Sequence, residues 1–215
     1  MSAHKGFFLT FEGIDGSGKS THAALAAEWL GKLGLAVCHT MEPGGTPLGR
    51  QLRQVLLETP ALPGLDLMSE LMLYLADRAQ HLAQVIRPAL QAGMIVVCER
   101  YNDSTLAYQA CGRGLPWDRV QECCRLAAPE QPDLTVLLEL DPALALERLG
   151  ATRDRLEAEG LELLTRVATG YRGLQQQQPA RFLVVDSSPC QAEVFARLQE
   201  GLIPRLRQAG LLEGR

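Results

Sequence analysis

Residues 13–20 read GIDGSGKS and directly follow the apolar run Phe7–Phe11. They fit the pattern G-x-x-x-x-G-K-[ST], whose glycines let backbone amides converge on phosphate oxygens at the start of a helix. In such a loop the lysine reaches the β- and γ-phosphates of a nucleotide, and the final hydroxyl contacts Mg²⁺. We therefore predict that nucleotide phosphates are held by Gly13, Ile14, Asp15, Gly16, Ser17, Gly18, Lys19, Ser20 and Thr21.

A phosphate loop does not by itself identify a reaction, because GTPases, motor ATPases and small-molecule kinases all contain one. A Ras-like GTPase needs an Asn-Lys-x-Asp guanine reader, and none of the three lysines (Lys5, Lys19 and Lys32) occurs in that context. An ATPase module would need a residue that orients water, whereas a kinase needs a second pocket for an acceptor. The loop also contains a carboxylate, Asp15, although its general task is to bind anions.

Composition limits the classes of partner. The formal charge of −4 and the pI near 5.6 argue against a nucleic-acid partner, because polyanion binding depends on clustered lysine and arginine. The six cysteines include no Cys-x-x-Cys pair, so we interpret them as free thiols of a cytoplasmic protein. No run of about 18 uncharged apolar residues occurs, and we expect no membrane contact.

Short apolar runs alternate with longer helical patterns along the 215 residues. The runs predict strands at Phe7–Glu12, Ala36–Thr40, Met94–Cys98, Leu134–Leu140 and Phe182–Asp186. The longer patterns predict helices at Ser20–Leu33, Leu48–Leu57, Leu67–Leu90, Trp117–Ala127, Pro142–Arg148, Leu161–Gln177 and Ala192–Gln208. This alternation predicts an α/β fold with a parallel, doubly wound sheet, in a single domain over residues 1–215.

Ligands of such sheets bind beyond the carboxyl ends of the strands, and the polar stretches of this chain fall there or on facing helices. The segment Gly150–Gly160 is unusually charged, with Arg153, Asp154, Arg155, Glu157 and Glu159. Two interpretations of this segment stay open, a solvated loop and a lid over the site.

Four further stretches supply the acceptor pocket that a kinase requires. They are MEPGGTPLG (41–49), ELMLYLADRAQH (70–81), CERYNDSTLAYQACGRG (98–114) and RDRLEAEG (153–160). Together with the phosphate loop, and in this order, they resemble the bacterial thymidylate kinase family from about residue 6 to about residue 186. The resemblance implies a P-loop NTPase-type three-layer fold with a five-stranded parallel sheet flanked by helices. It also implies transfer of the ATP γ-phosphoryl group to dTMP, giving dTDP and ADP for dTTP synthesis, with Mg²⁺ and in a homodimer.

Tyr74 and Arg78 are four residues apart on a predicted helix, so both project from one face. An aromatic ring at such a place can stack on a pyrimidine, and a guanidinium can reach its carbonyl or a phosphate. The resemblance implies that these residues stack on and grip dTMP. Ordinary core packing is the alternative for Tyr74.

The third predicted strand ends in Cys98-Glu99-Arg100-Tyr101, where related kinases place an acid for Mg²⁺ and an arginine for the acceptor phosphate. The resemblance therefore makes Ser20 and Glu99 the metal ligands, although many members have Asp at the second position. It assigns Arg100 to both catalysis and substrate binding. Further dTMP contacts are implied for Pro43, Ser104, Thr105, Tyr108 and Gln109, and Arg50 and Arg53 either approach the acceptor or lie on the surface.

For Asp15 the same resemblance implies that the carboxylate points away from ATP and accepts a hydrogen bond from the 3′-hydroxyl of dTMP, and a turn residue without a ligand is the alternative. One position departs from the family pattern. Members usually read Arg-Glu-Pro-Gly where this chain reads Met41-Glu42-Pro43-Gly44, so a cation is missing there. Either Arg50, Arg78 and Arg100 suffice for the acceptor phosphate, or dTMP is held more weakly.

Phosphoryl transfer also requires positive charge around the moving group. The loop itself offers only Lys19, so we assign further catalytic charge to a lid at about residues 149–160 that carries Arg153 and Arg155, with Arg148 contacting ATP.

Two alternatives to thymidylate kinase activity remain. One is a kinase for another substrate, such as dUMP or a deoxynucleoside, and the other is a regulatory protein that binds ATP without phosphoryl transfer.

Overall fold

A computed structural model describes residues 6–58, 65–150 and 160–212. Within these residues, five parallel strands form one sheet. In spatial order they are β2 (Val37–Met41), β3 (Ile95–Glu99), β1 (Phe7–Glu12), β4 (Leu134–Glu139) and β5 (Phe182–Asp186). The predicted α/β fold with a five-stranded parallel sheet is confirmed, and each strand lies within one residue of its predicted bounds.

Helices connect the strands. They are α1 (Lys19–Lys32), α2 (Pro47–Arg53), α3 (Leu67–His81), α4 (Arg87–Gln91), α5 (Asn102–Thr105), α6 (Trp117–Ala127), α7 (Pro142–Leu149), α8 (Gly160–Gln177) and α9 (Gln191–Gln208). Wider π-type turns follow α2 at Gln54–Glu58, join α3 to α4 at Leu82–Ile86, and extend α5 at Leu106–Gly112. None of the helices in the described part of the chain is long and apolar enough to cross a membrane.

The helical segment 102–112 has no counterpart among the predicted helices. It begins with Asn102-Asp103-Ser104-Thr105, and these residue types favour turns over helix interiors because their side chains compete for backbone hydrogen bonds. Three of these four side chains, those of Asp103, Ser104 and Thr105, are buried and bonded to other polar groups. Tertiary contacts therefore stabilise a helix that local propensity does not favour.

Strand β1 lies at the centre of the sheet, and all six of its residues are buried. Alternate side chains enter the apolar clusters on opposite faces: Leu9 packs with residues of α1 and α9, and Phe8 packs with Leu82 and Ile86. In the sheet Phe11 pairs with Glu99 of β3. The carboxyl ends of β1 and β3 are therefore adjacent, and the loops that follow them meet at one edge.

Candidate active site

One cavity of about 390 Å³ opens beyond the carboxyl ends of β1, β2 and β3. The phosphate loop lines one part of it through Asp15, Gly16, Gly18, Lys19, Ser20 and Thr21. The acceptor stretches line another part through Glu42, Pro43, Tyr74, Arg78, Glu99, Arg100, Ser104, Thr105, Tyr108 and Gln109, and Arg53, Leu57 and Arg148 complete the lining. Sequence motifs that are separated by up to about ninety residues thus face a common space.

The backbone of the phosphate loop requires glycine at two close points. Gly16 and Gly18 have φ values of +81° and +87°, and a Cβ on Gly16 would lie 2.6 Å from the carbonyl oxygen of Ala145. Helix α1 starts directly after Gly18, and no side chain caps it. Its first amides are therefore available to an anion from the cavity, and the helix dipole adds attraction.

Lys19 and Asp15 lie together at the base of this loop. The Lys19 Nζ donates to the carbonyl oxygen of Ile14 at 2.8 Å and is 3.5 Å from Asp15. Burial and the nearby Arg100 lower the pKa of Lys19, while Asp15 and Glu99 oppose this shift. Burial works against ionisation of Asp15, but Arg100 and Lys19 outweigh it and hold the pKa of that carboxyl below its ordinary value. Asp15 is therefore a carboxylate that neutralises two cations.

Ser20 and Glu99 bring the start of α1 to the end of β3. The Ser20 hydroxyl donates to Glu99 Oε1 at 2.8 Å, and both residues line the cavity. A hydroxyl and a carboxylate at this separation are hard oxygen donors of the kind that Mg²⁺ binds, with water and phosphate oxygens completing its shell. The donor set therefore fits the predicted magnesium site.

A second potential metal cluster consists of Glu42, His81 and Cys98, whose ligand atoms lie within 4.8 Å of one another. The Glu42 carboxylate already accepts from His81 Nδ1 at 2.8 Å and from Arg78 Nε at 2.7 Å. His81 Nε2 lies 2.6 Å from Thr40 Oγ1. Because these ligand atoms are engaged with each other and with a cation, we interpret the cluster as a hydrogen-bonded support for Arg78.

Arg78 is 2% exposed and faces the cavity from α3. Besides its bond to Glu42, its Nη1 donates to Thr105 Oγ1 at 2.7 Å and to Asn102 Oδ1 at 3.2 Å. Burial disfavours its charge, but Glu42 outweighs burial and raises the pKa of the guanidinium. Tyr74, one turn earlier on α3, lines the same cavity. The predicted common face of Tyr74 and Arg78 is therefore present.

Arg100 occupies an unusual backbone position at the end of β3, with φ +65°. A non-glycine residue in this region stores strain, so its neighbours must fix it. The Arg100 amide donates to the Phe11 carbonyl at 3.0 Å, and the next amide, of Tyr101, donates to Glu12 Oε1 at 2.7 Å. Its guanidinium contacts Asp15 and donates to Ser104 Oγ at 3.1 Å.

Glu12 is the buried acceptor beneath this turn. Ser104 and Tyr171 donate to its Oε2 at 2.6 Å and 2.9 Å, in addition to the Tyr101 amide on Oε1. Burial raises the pKa of Glu12 from 4.5 to about 7, and the charge of Asp103 acts in the same direction. Sequence reasoning assigned no role to Glu12. Its position at the end of an otherwise apolar strand, next to the loop, was the signal.

A model of the thymidylate kinase family matches residues 11–198, which is most of the chain. The chain belongs to the thymidylate kinase family. It is 51% identical to the thymidylate kinase of Solidesulfovibrio magneticus over 192 residues, which cover 85% of this chain and 91% of that protein. It is 47% identical to the enzyme of that name from a Synechococcus strain, with 93% and 95% covered.

A solved structure agrees with these relatives. The thymidylate kinase of Ehrlichia chaffeensis superimposes with a TM-score of 0.75 at 32% identity, covering 94% of this chain and 98% of that one. Members of the thymidylate kinase family are nucleoside-monophosphate kinases, so the chain is a phosphotransferase by family.

The predicted arginines differ in their position relative to the cavity. Arg50 is exposed on α2 and is not part of the cavity lining, whereas Arg53, one turn later, lines it and donates to the Pro43 carbonyl at 2.9 Å. Arg148 also lines the cavity and donates to the carbonyls of Ser187 and Ser188, each at 3.0 Å. Met41, at the end of β2, is 44% exposed.

Three residues of the phosphate loop, Gly13, Ile14 and Ser17, lie behind the cavity wall. Ile14 and Ser17 are buried, and the Ser17 amide donates to the Ile14 carbonyl at 3.2 Å. These residues shape the loop from beneath. Arg153 and Arg155, with most of the predicted lid at 149–160, lie outside the described residues.

Proposed function

We propose that this chain transfers the γ-phosphoryl group of ATP to a phosphate oxygen of dTMP, giving dTDP and ADP. The observation that carries the proposal is the shared cavity, in which a phosphate loop faces a second wall of cationic, aromatic and polar side chains. Asp15 connects the two parts, because it contacts Lys19 of the loop and accepts from Tyr108 of the opposite wall. Membership of the thymidylate kinase family supports ATP as donor and dTMP as acceptor.

The chemistry requires little proton transfer, since the attacking oxygen of a nucleoside monophosphate is already anionic. Catalysis then consists of bringing two negatively charged groups together and neutralising their charge. Lys19 and Arg100 both supply positive charge at Oδ1 of Asp15. Their shared contact with this carboxylate orients both cations in advance, so that less reorganisation is needed when phosphates enter.

Mg²⁺ belongs to the proposal as a cofactor held by Ser20 and Glu99. When bound, it would neutralise charge on the phosphate oxygens of ATP. The protein's own contribution is the fixed 2.8 Å pair of oxygen donors, one at the start of α1 and one at the end of β3. Glu99 is half-buried and lines the cavity together with Lys19.

The acceptor wall is suited to a pyrimidine nucleotide. Tyr74 offers a ring for stacking, and Arg78 is held rigidly by Glu42 and Thr105 with its guanidinium at the cavity. Arg100 and Asp15 pair with each other and both line the cavity, where Arg100 would contact the acceptor phosphate and Asp15 a sugar hydroxyl. A rigid guanidinium loses little conformational entropy on binding, which favours affinity for dTMP.

A homodimer in the cytoplasm completes the proposal. A homodimer interface could cover exposed apolar side chains on helical segments, namely Leu48, Val55, Met72 and Leu126. Light scattering on the purified chain tests it. A mass of twice 23.5 kDa is expected, and a monomer at all micromolar concentrations would contradict the dimer.

An acceptor panel tests the proposed reaction. ADP release from Mg·ATP would be measured with dTMP, dUMP, dCMP, dAMP, dGMP and thymidine, each over a range of concentrations. We expect dTMP to give the highest kcat/KM. A higher value for dUMP or for a nucleoside would identify another kinase, and ATP binding without turnover on any acceptor would identify a regulatory nucleotide-binding protein.

A further inference from the structure

Gln109 and Glu70 share a buried hydrogen bond at the wall of the cavity. Gln109 Nε2 donates to Glu70 Oε1 at 3.1 Å, and Glu70 is fully buried on α3. Gln109 itself lines the cavity, although only 3% of it is exposed. Its side-chain amide therefore has one end engaged inside the protein and the other end towards the ligand space.

Arg113 makes Glu70 an acceptor. The Arg113 Nε lies 3.3 Å from Glu70 Oε1, and its Nη2 donates to Oε2 at 3.1 Å. A carboxylate in such a pair can only accept hydrogen bonds. Arg113 belongs to the Gly112-Arg113-Gly114 stretch of the family pattern, yet it is not among the described residues that line the cavity. Because Arg113 contacts Glu70, it acts on the ligand indirectly, through Glu70 and Gln109.

This neighbour determines the orientation of the Gln109 amide. If the amide were reversed, its oxygen would face a carboxylate oxygen, which is repulsive, so the NH₂ group must point to Glu70. The carbonyl oxygen Oε1 is then the end left for the cavity. The argument depends on the chemistry of Glu70 and Arg113, and it holds although oxygen and nitrogen of an amide are similar in size.

A carbonyl that faces a base distinguishes pyrimidines by the atom at ring position 3. Thymine and uracil carry an imide N3–H between two carbonyls, which can donate to Oε1. Cytosine has a bare N3 lone pair at that place, which would face the amide oxygen with like partial charge. An unmade hydrogen bond to a buried polar group discriminates strongly against the wrong ligand.

We propose that Glu70, held by Arg113, is a positioning residue that orients Gln109 and thereby makes the pocket select bases with an imide N–H. This inference rests on the proposed function, since it assumes that a pyrimidine occupies the acceptor side of the cavity. In this inference Glu70 and Arg113 contribute to base selection without contacting the base.

The test compares kcat/KM for dTMP and dCMP in the full-length chain and in Glu70→Gln. The amide introduced by this substitution can donate as well as accept, so it allows both orientations of Gln109. We expect the dTMP/dCMP ratio to fall by about tenfold or more, the factor that one hydrogen bond is worth, mainly through a higher KM for dTMP. The KM for ATP should stay within about twofold. Glu130→Gln, which breaks the Arg87–Glu130 pair outside the cavity, is the matched control and should keep the ratio.

A double-mutant cycle separates orientation from general damage. Gln109→Ala should lower the ratio by itself, and adding Glu70→Gln to it should have no further effect, because no amide remains to be oriented. An equal effect of Glu70→Gln with and without Gln109 would overturn the inference. If Glu70→Gln does not fold, Arg113→Gln replaces it, since loss of the guanidinium removes two of the contacts that hold the Glu70 carboxylate in place beside Gln109.

The outcomes distinguish this inference from the proposed function. Wild-type protein that phosphorylates no nucleoside monophosphate would contradict the proposed function. Wild-type protein that prefers dTMP, together with Glu70→Gln and Arg113→Gln variants that keep the wild-type dTMP/dCMP ratio, would overturn the inference alone.

Discussion

The Tyr108 hydroxyl donates a 2.7 Å hydrogen bond to Asp15, so the acceptor wall and the phosphate loop are in direct contact. The same carboxylate pairs with Arg100 and lies 3.5 Å from Lys19. This arrangement explains why a loop that binds anions contains a negatively charged residue. Asp15 balances two cations and contacts both the phosphate loop and the acceptor wall.

Tyr108→Phe removes only the hydroxyl of this contact. We predict a rise of up to about tenfold in KM for dTMP, the range of one hydrogen bond, with KM for ATP nearly unchanged. The reason is that the ring still packs beneath Arg100, whose guanidinium lies 4.9 Å from the ring centroid. Steady-state kinetics with each substrate varied in turn provides the measurement. An equal rise in both KM values would show that Tyr108 supports the loop as a whole.

Lys19→Ala should preserve the fold but reduce kcat by at least about a hundredfold, because electrostatic contacts with the transferring group are worth this much or more. Circular dichroism checks the fold, and ADP release gives the rate. Lys32→Ala is the matched control, since Lys32 ends the same helix with its side chain 72% exposed. If Lys19→Ala kept activity within a few-fold of the control, the assignment of this lysine would be wrong.

We expect Arg53 to supply the positive charge that is missing at position 41, where this chain has Met instead of the family's usual Arg. It lines the cavity, whereas Arg50 on the same helix is exposed. We predict that Arg53→Ala raises KM for dTMP at least about tenfold, the loss expected for a charged hydrogen bond. Met41→Arg should recover part of this loss in the Arg53→Ala background, with a steeper salt dependence. A larger effect for Arg50→Ala than for Arg53→Ala would reverse the assignment.

The sequence alone was sufficient to predict the sheet and many of the residues that line the cavity. Short apolar runs predict the strands to within one residue, and the phosphate loop and Tyr74-x-x-x-Arg78 depend on local spacing alone. Local spacing could not predict the segment at 102–112 as a helix, because buried partners such as Arg181 for Asp103 and Glu12 for Ser104 come from distant parts of the chain.

The residues that support the cavity from behind were also beyond sequence reasoning. Glu12, Glu70 and His81 act through other side chains, and their partners are between 39 and 159 positions away. Arg50 and Arg53 show a related difficulty. Both lie on one short helix, and only its orientation against Pro43 determines which of the two faces the ligand.

Glu12 should make the stability of the protein depend on pH. Its pKa is raised to about 7 in the folded state and is 4.5 ordinarily, so the folded protein retains a proton that the unfolded chain releases. This contribution is fully present below pH 4.5 and is lost as the pH rises through 7. It amounts to at most about 3 kcal/mol.

Glu12→Gln removes this titration. We expect the free energy of unfolding of the wild type to fall between about pH 5 and about pH 8, and that of the variant to change less. Urea unfolding at both pH values provides the measurement. Asp77, whose pKa burial raises to about 6, acts in the same direction, so Asp77→Asn should remove a further part. Equal pH dependence in wild type and Glu12→Gln would contradict the assignment.

Transfer of a radioactive label from the γ-phosphate of ATP tests the central claim most directly. The purified chain would be incubated with the labelled nucleotide, Mg²⁺ and dTMP, and the products separated by chromatography, with Lys19→Ala and a sample without dTMP as controls. The account predicts that label appears in dTDP in proportion to the ADP formed, and that free labelled phosphate stays at the level of the dTMP-free control. Label that appears only as inorganic phosphate, or on no product while ATP binds, would contradict it.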